Sequence, residues 1–199
     1  MTCSFLNLRE RAHCELVPAA AAAAATHCLS DKLPLRGKFV VEHLRDGKVI
    51  GRYIVPNVIV TEGKTKLLDV MFHAVSALAT WYIGLIDNAG VTPPVAGNTY
   101  EGIGTTNGWD EFTTYSESTR GEWTEDAAAA GSITNSTPVV YNITGSGAVY
   151  GLFLAAGTQA ATKGDATAGN TLWAATAFSG GYVTVANNDQ LKVTYTVNS

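Results

Sequence analysis

At 199 residues the chain has the length of one domain, long enough to bury a core, and its charged fraction of 15 % lies below the roughly 25 % usual in soluble domains. The charge is unevenly placed: residues 1–66 hold ten of the thirteen Lys and Arg and six of the seventeen Asp and Glu, whereas residues 67–199 hold three basic against eleven acidic residues, a net −8. So few cations in residues 67–199 give that part no footprint for a phosphate backbone, so nucleic acid is not an expected partner, and with no apolar run of eighteen residues no transmembrane helix and no membrane partner are expected.

Residues 1–34 read as an N-terminal arm, helical or poorly ordered, around the Ala-rich "VPAAAAAAATHCLSD". Glu10, His13, Cys14 and Glu15 interrupt the approach to that stretch, which argues against a secretory signal. All three cysteines, Cys3, Cys14 and Cys28, lie in the arm. Their spacing beside His13 and His27 matches none of the close pairs that structural zinc uses, so they read as free thiols, and no metal or cofactor is expected.

The body, residues 35–199, opens with "LRGKFVVEHLRDGKVIGRYIV", two strands about an Asp46-Gly47 turn; Pro56-Asn57 ends the second. Thr61 is the expected N-cap of a helix through "EGKTKLLDVMFHAV", in which Leu67, Leu68, Met71, Phe72 and Val75 share one face. That face is expected in the core, anchored by Leu68, Met71 and Phe72. A strand follows at 80–86, then a Gly-, Pro- and Asn-rich stretch, 87–119, long enough to be functional or shaped by a partner. Further strands are expected at 120–124, 137–144, 147–155, 171–178, 181–186 and 189–197. In the last of these, Leu191, Val193, Tyr195 and Val197 alternate with polar residues, the pattern of a strand with one buried face. Many short strands with one short α-helix predict a mainly β fold, a β-sandwich or jelly-roll-like body behind the arm. No fixed-period repeat is present, which excludes propellers and solenoids.

Little in the body carries chemistry. "GIGTTNG" at 102–108 has neither phosphate-loop spacing nor a strand-to-helix context. The acidic cluster Asp110, Glu111, Glu117, Glu122, Glu125 and Asp126, with Trp109, Tyr115 and Trp123 as sugar-stacking neighbours, is the best enzymatic candidate, since glycoside hydrolysis needs two carboxylates about 5–10 Å apart. The preferred reading is a solvated or subunit-facing surface with Arg120 pairing one carboxylate. His43 and His73 read as structural. No catalytic, cofactor-binding or metal residue is assigned, and the protein is not expected to be an enzyme.

The order of the segments is informative: "RDGKVIGRYIVPNVIVTEGKTKLLDVMF", "TWYIGLID", "GWDEFTTYSESTRGEW", "VYNITGSGAVYGLFLA" and "LWAATAFSGGYVTVANNDQLKVTYTV". Over residues 35–199 this succession resembles a family of tailed-bacteriophage virion structural proteins. The resemblance implies a capsid cement or decoration protein on the capsid exterior of the virion, binding the major capsid protein and neighbouring copies of itself. The alternative it implies is a head-fibre or tail-associated module recognising a host-surface glycan; a glycan-hydrolysing enzyme comes third. The arm departs from the family pattern. On a decoration protein, the cations Arg36, Lys38, Arg45, Lys48 and Arg52, dense in seventeen residues, are the expected docking set, with Trp109 and Tyr115 of the 87–119 stretch as apolar anchors.

Overall fold

Asp46 and Gly47 both adopt positive φ, 50° and 73°, the pair of left-handed residues that closes a two-residue hairpin with the twist of its strands. They join β1 (Arg36–Arg45) to β2 (Lys48–Pro56). The structure, a computed structural model, describes residues 34–89 and 91–199; the expected arm, apart from Pro34, and its cysteines lie outside the described residues. After β2 come β3 (Val58–Ile59), α1 (Thr61–Phe72), β4 (Trp81–Asp87), β5 (Glu111–Phe112), β6 (Gly121–Glu122), β7 (Ser132–Thr134) and β8 (Val139–Asn142). The chain ends through β9 (Gly147–Ala156), β10 (Thr171–Ala177), β11 (Val183–Val185) and β12 (Gln190–Asn198).

The strands form two antiparallel sheets, the β-sandwich expected, with one helix among the described residues. In the first sheet the order is β2-β1-β12, and β7 and β8 pair with successive stretches of the far side of β12. The second runs β3-β10-β9-β4-β5, with β11 on β9 and β6 on β4. The two-residue β5 and the three-residue β7 were not anticipated, because neither carries an apolar alternation.

Two cores result. Between the sheets lie Phe39, Val41, Ile83, Leu85, Leu152, Leu154, Val193 and Tyr195, all but fully buried. On the other side of the second sheet, Ile86, Phe153, Ala155 and Ala175 pack against Tyr100, Ile103 and Trp109, which the long loop supplies. Strands β4, β9 and β10 are therefore buried on both faces. That is why they read as unbroken apolar runs, while β12, buried on one face, alternates.

The helix corrects the sequence reading. Leu68, Met71 and Phe72 are 57 %, 65 % and 81 % exposed, and they face away from the core they were expected to anchor. The inward side of α1 is instead Gly63, which is buried, with half-buried Leu67 and Val70, set against Trp81 and Trp173. Thr61 is the first helical residue rather than the cap; Val60 holds the cap position with no side-chain cap bond. The helix start is tied down by Glu62, whose Oε2 accepts from the Tyr100 and Leu172 backbone N–H groups at 2.9 and 2.7 Å. Burial raises the Glu62 pKa, against the lowering effect of those two bonds.

Candidate functional site

The polar residues of the recognisable segments are largely spent on building the scaffold. Arg120 is enclosed, with Nε and Nη2 donating to the two Glu111 oxygens at 2.8 and 2.7 Å, Nη1 to the Tyr100 hydroxyl and the Ala160 carbonyl, and Nη2 to the Asp165 carbonyl. Its guanidinium also stacks over Tyr100 and Phe153, 5.4 and 5.1 Å from their centroids. Burial alone would lower the Arg120 pKa, but the bonds and charge of Glu111 outweigh it and leave the group more firmly cationic. Burial pushes the Tyr100 phenol up to about 12, so it stays neutral and donates to Asp165. This network staples the 87–119 loop to the 157–170 loop over the second core. The expectation that Arg120 pairs one carboxylate of the acidic cluster holds; the expectation of solvation fails for Glu111, whose side chain is 2 % exposed.

A second network closes the opposite sheet. Asp189, at the turn before β12, receives Arg45 Nε at 2.7 Å and Nη2 at 2.8 Å, hydrogen-bonds His43 Nε2 at 2.8 Å, and accepts from the Ala186 N–H. The Arg45 bond is the main cause holding the Asp189 carboxyl well below the usual carboxylate range. The charge of Arg45 is thus already paired with Asp189.

The remaining docking candidates meet on a surface. In register, Arg36 stands beside Asn198, Lys38 between Thr196 and Pro56, Val40 between Thr194 and Ile54, and Glu42 between Lys192 and Arg52. These residues share the outward face of the first sheet, because their neighbours Phe39 and Val41 point into the core. The three strands β2, β1 and β12 therefore present four cations, Arg36, Lys38, Arg52 and Lys192, against one carboxylate, Glu42. Glu42 and Arg52 meet at 3.6 Å, both substantially exposed, a pairing that contributes little. A depression of about 230 Å³ lies among Val40, Glu42, Arg52, Pro138, Lys192 and Thr194. Lys48, at the hairpin end, is exposed. Among the described residues Arg36, Lys38, Lys48 and Lys192 make no ion pair. Lys192 joins this face from 140 positions beyond Arg52; only the β1–β12 register could reveal it, and the β12 alternation was the available signal.

Trp109 and Tyr115 do not lie on a surface. They are 2 % and 3 % exposed, Trp109 against Phe153 and Tyr115 edge-on to Tyr141, with Lys163 Nζ 4.3 Å from the Tyr115 centroid. Trp123 is buried as well, its indole N–H donating to the Tyr195 carbonyl. The apolar anchors expected of the 87–119 loop therefore serve the two cores, since a sheet apolar on both faces draws its covering loop inward. The exposed acids Glu101 and Asp110 line that loop's outside, so the molecule is cationic on one flat face and acidic over the loops.

An apolar groove of about 310 Å³ lies between Ile133 and Val197 of one sheet and Trp81, Leu154 and Trp173 of the other, with Leu35, just before β1, and Leu67 of α1 also lining it. Among the described residues no group of three or more His, Cys, Asp or Glu is arranged to hold a metal. Neither the models of known protein families nor the curated proteins compared with the chain gave a match.

Proposed function

We propose that the protein is a capsid decoration protein of a tailed phage, bound to the major capsid protein on the exterior of the head through the outward face of its first sheet, with neighbouring copies of itself as further contacts. The observation that carries this reading is the four-to-one excess of cations over carboxylates on that face in a chain with a net charge of −4. An acidic shell surface is attracted to this face and repelled by the loop side, which gives orientation as well as encounter rate. Two features support the reading: the ordered resemblance of the segments to virion structural proteins, and the use of their charged residues as internal staples that stiffen the body.

The alternative, a host-glycan binding module, loses the aromatic residues expected to stack on sugars, since Trp109, Tyr115 and Trp123 are all buried. Of the acidic cluster that a glycan-hydrolysing reading would draw on, Glu111 is held by Arg120 and Glu117 accepts from the Asn142 N–H, while Asp110, Glu122, Glu125 and Asp126 lie exposed on the surface rather than in a cleft. The decoration reading is tested by quantifying the protein in purified virions. A copy number comparable with that of the shell subunit is expected; a few copies per particle would move the protein to a fibre or tail position.

A further inference from the structure

We infer that the free edge of β2 accepts an extended, carboxylate-bearing segment of the partner as an added strand. The inference deepens the docking reading above and rests on it for the partner's acidity. The geometry starts at the end of the hairpin, where the Asn57 N–H donates to the Gly37 carbonyl at 3.1 Å. With Phe39 opposite Val55 and Val41 opposite Tyr53, this makes residues 57, 55 and 53 the ones whose N–H and C=O turn toward β1. Hydrogen-bonded pairs alternate along an antiparallel ladder, so Arg52 and Ile54 turn their N–H and C=O outward. Among the described residues β2 pairs only with β1.

This edge carries some of the devices that blunt edge strands, the charges of Lys48 and Arg52 and the proline at Pro56, but no covering element among the described residues. It is nine residues long and carries exposed aliphatic side chains at Val49, Ile50 and Ile54, which are 55 %, 53 % and 60 % exposed. One end is closed: Pro56 has no N–H to offer, and its carbonyl already accepts from Thr176 Oγ1 at 2.7 Å. The other end runs into the irregular register at His43/Leu44. The open template is thus the short stretch from Ile50 to Ile54.

Charge selects the occupant. Strand β2 contains Lys48 and Arg52 and no carboxylate, so pairing with β2 of a second copy would bring two strands of like charge together. A partner strand with carboxylates next to Arg52 and an apolar residue next to Ile54 satisfies both the side chains and the open backbone groups. Main-chain bonds give such an addition its affinity, and the alternating side chains its selectivity.

The test uses the full chain, labelled with ¹⁵N, and two capped hexapeptides that set an apolar and a charged residue two positions apart on one face, Thr-Val-Thr-Glu-Thr-Val (the Val-Glu peptide) and Thr-Val-Thr-Lys-Thr-Val (the Val-Lys peptide). Amide exchange at Arg52 and Ile54 should slow severalfold with the Val-Glu peptide and not with the Val-Lys peptide, while Tyr53 and Val55, already bonded to β1, stay unchanged. Arg52→Glu should reverse the peptide preference. Ile54→Pro removes an outward donor without deleting a ladder bond, and should abolish the protection at Arg52 while the melting transition is retained. No slowing with either peptide, equal slowing with both, or protection undiminished in Ile54→Pro would overturn the inference. Capsid loading separates this from the docking reading: if Ile54→Pro loads like wild type, strand addition fails and decoration stands, whereas peptide protection in a protein that never loads sinks decoration alone.

Discussion

Gly63 lies so close to Trp173 that a β-carbon on it would stand 2.8 Å from the Trp173 Cα and 2.8 Å from its carbonyl oxygen. The contact is backbone against backbone, so no flexible side chain can yield. It sets α1 flat on β10 and thereby decides which side of the helix is buried.

Gly63→Ala should therefore destabilise. In an unconstrained helix interior the change gains about 1 kcal/mol, but here the added carbon must push the helix off the sheet, and overpacking of that kind costs about 1–3 kcal/mol. Denaturant unfolding of the two proteins measures the sign. A gain in stability would show that the helix can lift away without loss.

Because α1 is fixed by that contact, Phe72→Ala should change stability by less than about 0.5 kcal/mol, as substitutions at exposed positions do. Phe153→Ala, inside the second core and fully buried, should cost about 3–5 kcal/mol. Comparable effects from the two changes would contradict the assigned orientation of the helix.

The hairpin and the last strand were legible because their signals are local. Asp46-Gly47 tolerates the positive φ that its turn requires, and Leu191, Val193 and Tyr195 alternate on one face with no exposure at all. The orientation of α1 was not legible, since Leu67, Leu68, Met71 and Phe72 fit helical spacing as well as Leu67 and Val70 do. The choice depends on a glycine meeting a tryptophan 110 positions away. The fate of Trp109 and Tyr115 was half legible. The unbroken apolar runs of β4, β9 and β10 meant sheets buried on both sides, and a sheet so buried needs aromatic residues from a covering loop. Of the docking set, Arg45 was lost to Asp189 and Lys192 was gained, both through pairings distant in sequence.

The buried ion pair gives a third prediction. Arg120→Met strands the Glu111 carboxylate without its main partner and should cost about 3–5 kcal/mol, while Arg120→Met with Glu111→Leu should recover much of that loss. Denaturation of the single and double variants tests it. A double variant as unstable as the single one would show that the remaining bonds of Arg120, to Tyr100 and the Ala160 and Asp165 carbonyls, carry the stapling instead.

Acid should act partly through Asp189. Its pKa is depressed in the folded protein, chiefly by the Arg45 bond, so its contribution is present above the unfolded value of about 3.9 and is lost as pH falls toward the folded one. Glu62, raised by burial, works in the opposite sense, so the informative quantity is a difference between variants. Asp189→Asn should be less stable than wild type at neutral pH, and the gap should narrow as pH is lowered below about 4. A gap independent of pH would mean that the ionised form of Asp189 contributes nothing.

Docking of the first sheet's outward face on an acidic shell is read out by loading purified protein onto undecorated capsids across a salt series. The comparison is wild type against Arg36→Glu with Lys38→Glu, two exposed cations that make no ion pair among the described residues, so the fold is spared. Wild type should load faster at low salt, and the two should converge as salt screens the exposed charges. Equal loading at low salt would show that this face is not the one that docks.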